Sequence, residues 1–303
     1  MQNNYDSRTK FRDLTSPSYF IRVNEVHPLD IYLGRNDEGE KSLRFIGNFD
    51  RVKIISSKII AVSHLKKDQK IILNFSLKDP RFDDLFFIFC NDLIDSSVGM
   101  KQYQGYEFLV NRFDKWRSFG QLSRDILTET EIKGLLGELL FLNDVGLVDY
   151  DEFSAISAWT GTEPTDKDFY FSDYWYEIKV TTSEKVQISS LDQLESSQEG
   201  KLVVYTFEKR SPEASGITLN AMVSHILDKL AYRSNQESFL LKLYQIGYIY
   251  NENYDQYVYE VKSFKKFKIV EGFPLIKKQD LNDSIVDVKY TLLLNLINKY
   301  LEE

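Results

Sequence analysis

Asp168 opens a short aromatic run, and nine residues further on Glu177, Ile178 and Lys179 form a Glu-x-Lys triplet in the next. Two acids and a lysine set among aromatic and β-branched residues are costly to bury. The usual reasons to bury them are a divalent cation and a phosphate. Ser172-Asp173-Tyr174-Trp175 reads as a four-residue hairpin loop between the two runs. Closed there, the hairpin pairs Phe171 with Tyr176, Tyr170 with Glu177, Phe169 with Ile178 and Asp168 with Lys179. Cross-strand partners share a face. Asp168, Tyr170, Glu177 and Lys179 are therefore expected on one side, and Phe169, Phe171, Ile178 and Val180 on the other as core. Opposed residues lie roughly 5 Å apart at Cβ, so both carboxylates can reach one cation with the ammonium beside it. Such oxygen ligands suit Mg²⁺, which keeps several of its waters. Asp166 has the same parity as Asp168 and rivals it as first ligand, but it lies roughly 6–7 Å further along the strand. The competing reading is a surface hairpin with an Asp–Lys pair worth little.

Glu131 to Leu142 carries Leu135, Leu139 and Leu142 at helical spacing, with Glu138 among them. A carboxylate so placed should have a raised pKa unless a cation or hydrogen bond compensates. Ala155 to Trp159 reads as a strand and precedes the hairpin. Ser190 to about Glu199 reads as a short helix, and Leu202 to Phe207 as a buried strand. The order is helix, three strands, helix, strand. Ser190-Leu-Asp-Gln193 also fits a capping box, which gives Gln193 a structural reading.

That order with these acids resembles the PD-(D/E)XK nuclease superfamily, whose common core is αβββαβ. It is similar in particular to a poorly characterised bacterial family of PD-(D/E)XK-motif proteins found near restriction and phage-defence genes. The pieces that carry the resemblance are GLLGELLFL (134–142), AWTG (158–161), Asp168-Phe169, EIKVTT (177–182) and ISSLDQL (188–194). One departure is Lys167, which stands where the superfamily pattern has Pro; a Pro-Thr-Asp occurs at 164–166. The resemblance implies that Asp168, Glu177 and the Ile178 backbone carbonyl hold Mg²⁺, with Mn²⁺ as a substitute. It makes Lys179 the catalytic lysine. Glu138 becomes the helix acid that holds a metal-bound water or a second ion, and Gln193 touches the scissile phosphate or the lysine.

With 303 residues, 43% of them hydrophobic, the chain can bury a sizeable core, and it contains no run of about 18 apolar residues to span a membrane. The lone Cys90 and the absence of a signal-like N-terminus fit a cytoplasmic protein. His27, His64 and His225 show no ligand spacing, and no phosphate-cradling glycine loop is present. The net charge of −8 is unevenly spread. Residues 101–200 carry 9 Lys and Arg against 19 Asp and Glu, whereas each flanking third is near neutral at +1. Basic clusters lie at Arg51/Lys53/Lys58, Lys66/Lys67/Lys70 and Lys262/Lys265/Lys266/Lys268, and each is most simply a solvated face.

The expected fold is α+β (α/β). Residues 1–80 form a β-rich module with strands at 19–26, 30–33, 42–46, 53–62 and 71–77. Residues 81–212 hold two lead-in helices, at 81–95 and 102–118, and the restriction-endonuclease-like αβββαβ core. Residues 213–303 form an α+β segment packed on it, with helices at 217–232 and 237–246 and strands at 257–261, 266–270 and 286–291. The expected function is Mg²⁺-dependent endonucleolytic hydrolysis of DNA in a restriction or phage-defence system. Other subunits (a helicase/ATPase or a methyltransferase) would be its partners, and a homodimer is one way to cut both strands. The alternative is a non-catalytic structural or DNA-recognition subunit that keeps the fold.

Overall fold

The computed structural model describes residues 6–117, 126–161, 167–282 and 284–302. Two compact units divide the chain, Met1–Arg124 and Asp125–Glu303. The first is built on five antiparallel strands, β1 (Phe20–Arg22), β2 (Ile31–Arg35), β3 (Lys41–Gly47), β4 (Ile60–Lys67) and β5 (Lys70–Leu77), in the order β1-β2-β3-β5-β4. Register places Leu33, Leu43 and Phe75 on one face, all buried. Phe75 meets Phe89 of helix α2 (Asp83–Ser96) and Phe113 of α3 (Gly105–Arg117), at 5.4 and 5.2 Å between ring centroids. A short α1 (Ser7–Asp13) packs Phe11 against Phe86 and Phe87. Cys90, in α2, is buried and free, and burial pushes its thiol pKa up.

The fourth strand departs from the expectation of 53–62. The Ser57 hydroxyl accepts the Ile59 and Ile60 N–H groups, and the Ser56 hydroxyl accepts that of Val62. These local bonds compete with a ladder, so residues 51–58 stay irregular and the strand starts at Ile60.

The second unit opens with α4 (Glu129–Phe141), started by a capping box between Thr128 and Glu131. A wider turn, Leu142–Gly146, leads into α5 (Leu147–Asp149) and α6 (Glu152–Ala158). Strands β6 (Phe169–Tyr170), β7 (Trp175–Thr181), β9 (Gly200–Arg210) and β10 (Val258–Ile269) form a sheet in the order β10-β9-β7-β6. β7 and β9 run parallel; the other pairs are antiparallel. β8 (Lys185–Ile188) pairs with β11 (Tyr290–Leu293). Helices α7 (Leu219–Lys229) and α8 (Arg233–Ile246) lie between β9 and β10 in sequence. No helix among the described residues is long and apolar enough to cross a membrane.

Three elements of the second unit differ from expectation. Ala155–Trp159 is not a strand: Asp151 accepts the Ser154 N–H at 3.0 Å and starts α6, leaving Trp159 alone to pair with Phe169. Ser190–Glu199 is not a helix, because only Leu191–Gln193 forms a 3₁₀ turn. The two strands expected at 257–261 and 266–270 are one strand, bulged between Val261 and Ser263.

The hairpin register is shifted by two residues from the expectation, with Phe169 opposite Tyr176 instead of Ile178 and Tyr170 opposite Trp175 instead of Glu177. Side-chain period in a strand is two. A two-residue slip therefore leaves Asp168, Glu177 and Lys179 on their expected common side.

Candidate active site

Because β6 is two residues long, the edge of β7 beyond it faces the Asp168 side chain. Asp168 Oδ2 accepts the Ile178 N–H at 2.6 Å, and the Asp168 N–H donates to the Tyr176 carbonyl at 3.2 Å. The N–H and C=O of one strand residue point the same way, so the Ile178 carbonyl is turned toward Asp168 as well. On β7, Glu177 and Lys179 stand opposite Leu202 and Val204 of β9. That face is covered by a cluster containing Trp175, Leu194, Leu202, Val204 and Phe267. Glu177 is left 1% exposed. Its Oε1 receives the Lys179 ammonium at 2.8 Å, while Oε2 is buried with no hydrogen-bond partner among the described residues.

Glu138 comes from α4, on the opposite face. A Cβ on Gly137 would lie 2.3 Å from Val180 Cγ2, so the glycine lets the helix backbone settle onto β7. Phe141, one turn on, packs its ring on Phe169 and Tyr176, at 4.7 Å from each. Trp159 Nε1 donates to Glu138 Oε2 at 2.7 Å. The Thr160 and Gly161 N–H groups donate to the Asp168 carbonyl at 2.9 and 3.2 Å. A Cβ on Gly161 would come within 2.6 Å of Glu138 Oε2. Trp159-Thr160-Gly161 thus holds both acids. Sequence reasoning noted the segment only as part of a motif and assigned it no role.

Lys167 was also missed, having been noted only as not being proline. It is 6% exposed, with its Nζ 4.1 Å from the Trp175 ring centroid, and it donates to the Glu195 carbonyl at 3.0 Å and to that of Asp192. These bonds tether the turn that carries Gln193. Gln193 Oε1 accepts from Lys179 Nζ at 3.2 Å and from the Ser189 N–H at 2.8 Å. The Ser190 side chain makes no cap bond, and Gln193 reaches the N–H of Ser189 instead of that of the N-cap, so the expected capping box does not form.

Burial, then the Asp168 carboxylate, push Glu177 up to about 8, with Lys179 opposing. Burial raises Asp168 too, against the Ile178 N–H and the ammonium groups of Lys179 and Lys167. Glu138 is raised well above the usual carboxylate range by burial first and Asp168 second; the Trp159 N–H works the other way.

Glu138, Asp168, Glu177, Lys179 and Gln193 are thereby linked into one group. As they stand, the acids are turned to internal donors. Among the described residues no three His, Cys, Asp or Glu side chains converge to hold a metal ion. Asp166, the rival first ligand, lies outside the described residues. The donor set nevertheless suits a hard cation: two adjacent carboxylates, one with a buried unpartnered oxygen, beside a backbone carbonyl on the same side.

A family model described as "Putative PD-(D/E)XK family member, (DUF4420)" matches residues 7–295. None of the curated proteins and none of the solved structures matches the chain.

Proposed function

The chain belongs to this family, and on that premise and the site's geometry we propose that it is a divalent-cation-dependent endonuclease acting on DNA. Its expected setting is a restriction or phage-defence system. The observation that carries the reading is Glu177, 1% exposed beside Asp168 and Lys179 with one carboxylate oxygen unpartnered. Asp168, Glu177 and the Ile178 carbonyl would hold Mg²⁺ or Mn²⁺. Such an ion, when bound, supplies Lewis-acid polarisation of a phosphate and acidifies water near neutral pH.

The chain's own groups do the rest. Lys179 directs two N–H groups to Glu177 and Gln193. An ammonium has three, so one is left to orient the attacking water or stabilise charge on a phosphoryl oxygen. Gln193 fixes that ammonium and is itself fixed by the Ser189 N–H. Glu138, held by Trp159, would accept a hydrogen bond from a water outside the inner ligand set.

Supercoiled plasmid at low salt, with EDTA, Mg²⁺ or Mn²⁺, tests this. Wild type should nick or linearise the plasmid only with an added ion. Lys179→Ala should lose roughly 10²–10³-fold in rate, as expected for removing a preorganised charge-stabilising donor. Equal rates in the variant, or cleavage in EDTA, would overturn the assignment. A non-catalytic subunit is the competing reading, favoured by the surplus of ten acids over residues 101–200. An intact protein that binds no Mn²⁺ by calorimetry would support it.

A further inference from the structure

The acidic middle third repels a polyanion, so a DNA substrate needs a separate place to dock. The structure sorts the basic clusters that could provide one. In the C-terminal cluster, Lys262 is engaged by Glu208 and Glu260 at 2.7 and 2.8 Å and Lys265 faces Glu184 at 3.6 Å, so only Lys266 and Lys268 lack a carboxylate partner among the described residues. The cluster in the first unit is different. Arg51, Lys53, Lys66, Lys67 and Lys70 are exposed, and no carboxylate among the described residues pairs with any of them. Residues 51–70 hold six Lys and Arg and a single acid, Asp68, within a chain of net charge −8.

These cations share one edge. β4 is the outer strand of its sheet, and its hairpin with β5 sets Lys67 opposite Lys70. The 51–58 segment runs along the same strand. Tyr106 Oη accepts the Val52 N–H at 2.9 Å and meets His64 Nε2 of β4 at 3.0 Å. Further along, the Ser57 N–H donates to the Ile60 carbonyl at 3.0 Å, and the Val62 N–H donates to Ser56 Oγ at 2.9 Å. Arg51 lies close enough to His64 to help hold its pKa down, after burial. Solvent-facing lysines that lack acid partners lose nothing when they move to phosphate, and each contact releases counterions. The lysines are strung along a strand edge and its flanking segment, an arrangement suited to following a phosphate backbone.

We propose that the edge formed by β4 and the 51–58 segment binds the phosphate backbone of a DNA duplex, positioning it without reading its sequence. The choice of DNA over another polyanion rests on the nuclease reading above.

The test is fluorescence anisotropy of the full chain with a labelled 30-base-pair duplex, in EDTA, across 50–200 mM salt. The proteins are wild type, Lys66/Lys67/Lys70→Gln, Arg51/Lys53→Gln and Lys262→Gln. Wild type should bind with a steep salt dependence. The triple variant should bind at least tenfold more weakly, with a log–log salt slope reduced by about 2–3, close to 0.9 for each lost phosphate contact. The double variant should lose about 1–2 from the same slope. Lys262→Gln, whose ammonium is already engaged by Glu208 and Glu260, should bind as wild type does. Wild-type affinity in both Gln variants, or no duplex binding by wild type, would overturn the proposal. So would binding to phosphatidylserine vesicles in place of the duplex, since the exposed Val52, Ile55 and Leu65 lie among the same cations. Intact duplex binding by a protein that never cuts plasmid would count against the nuclease reading alone.

Discussion

At the scale of single residues, the site is a set of carboxylates kept where water cannot stabilise their charge. Glu177 sits 1% exposed with its pKa pushed to about 8, against an ordinary value near 4.3 in the unfolded chain. The folded state therefore holds the proton more tightly than the unfolded state. Its contribution is fully present below the unfolded pKa and is lost as pH rises through about 8. Metal-free protein should accordingly melt at progressively lower temperature between about pH 5 and pH 8. Glu177→Gln, which keeps the shape and cannot ionise, should flatten that dependence and raise Tm by several degrees at pH 8, with little change at pH 5. Melting curves in EDTA at both pH values decide it. A variant with the wild-type slope would show that burial of this carboxylate carries no such cost. The acids and lysine were legible in the sequence because they interrupt apolar runs. Lys167 and Trp159 were not, since a lysine that bonds two carbonyls and an indole that holds a glutamate look like ordinary residues until the chain folds around them.

At the scale of elements, what matters is how closely α4 lies on β7, and two glycines of the same helix separate the possible causes. Both would gain helix propensity on replacement by Ala, up to roughly 1 kcal/mol. Gly134 has open space where a Cβ would go, whereas at Gly137 that atom would stand 2.3 Å from Val180 Cγ2. Val is stiff at χ1, so the helix must shift, and overpacking costs roughly 1–3 kcal/mol. Gly134→Ala should stabilise the protein slightly. Gly137→Ala should destabilise it by about 1–2 kcal/mol net and weaken Mn²⁺ binding by drawing Glu138 away. Denaturant melts and calorimetry on the pair test this, and equal effects at both positions would refute the close-approach argument. The same scale explains which elements could be read in advance. α4 carries a capping box and a regular Leu spacing, so its sequence names it. α6 is two turns begun by Asp151, with Ala155, Ile156 and Trp159 mimicking a strand. The hairpin register shifted by two residues, which two-residue strand periodicity forgives and a one-residue shift would not.

At the scale of the whole molecule, charge is divided between the units. Residues 1–124 carry a net +4 and residues 125–303 a net −12, and the basic edge lies in the first of these. The acidic excess falls in the stretch of sequence that holds Glu138, Asp168 and Glu177, whose pKa values are already raised. A cation there competes with protons, and the competition eases as pH rises. Mn²⁺ at ten times its Kd should stabilise the folded chain by about 1.4 kcal/mol, a shift of a few degrees for a protein of this size. The gain should be larger at pH 8 than at pH 6, and Asp168→Ala should abolish most of it. Thermal melts with and without Mn²⁺ at the two pH values measure this directly. A gain that is larger at pH 6, or that survives in Asp168→Ala, would place the ion elsewhere on the acidic surface and remove the cation from this site. Protons and cations thus compete for the same buried oxygens, and the pH dependence of the Mn²⁺ effect reports on the site without requiring that any substrate be cut.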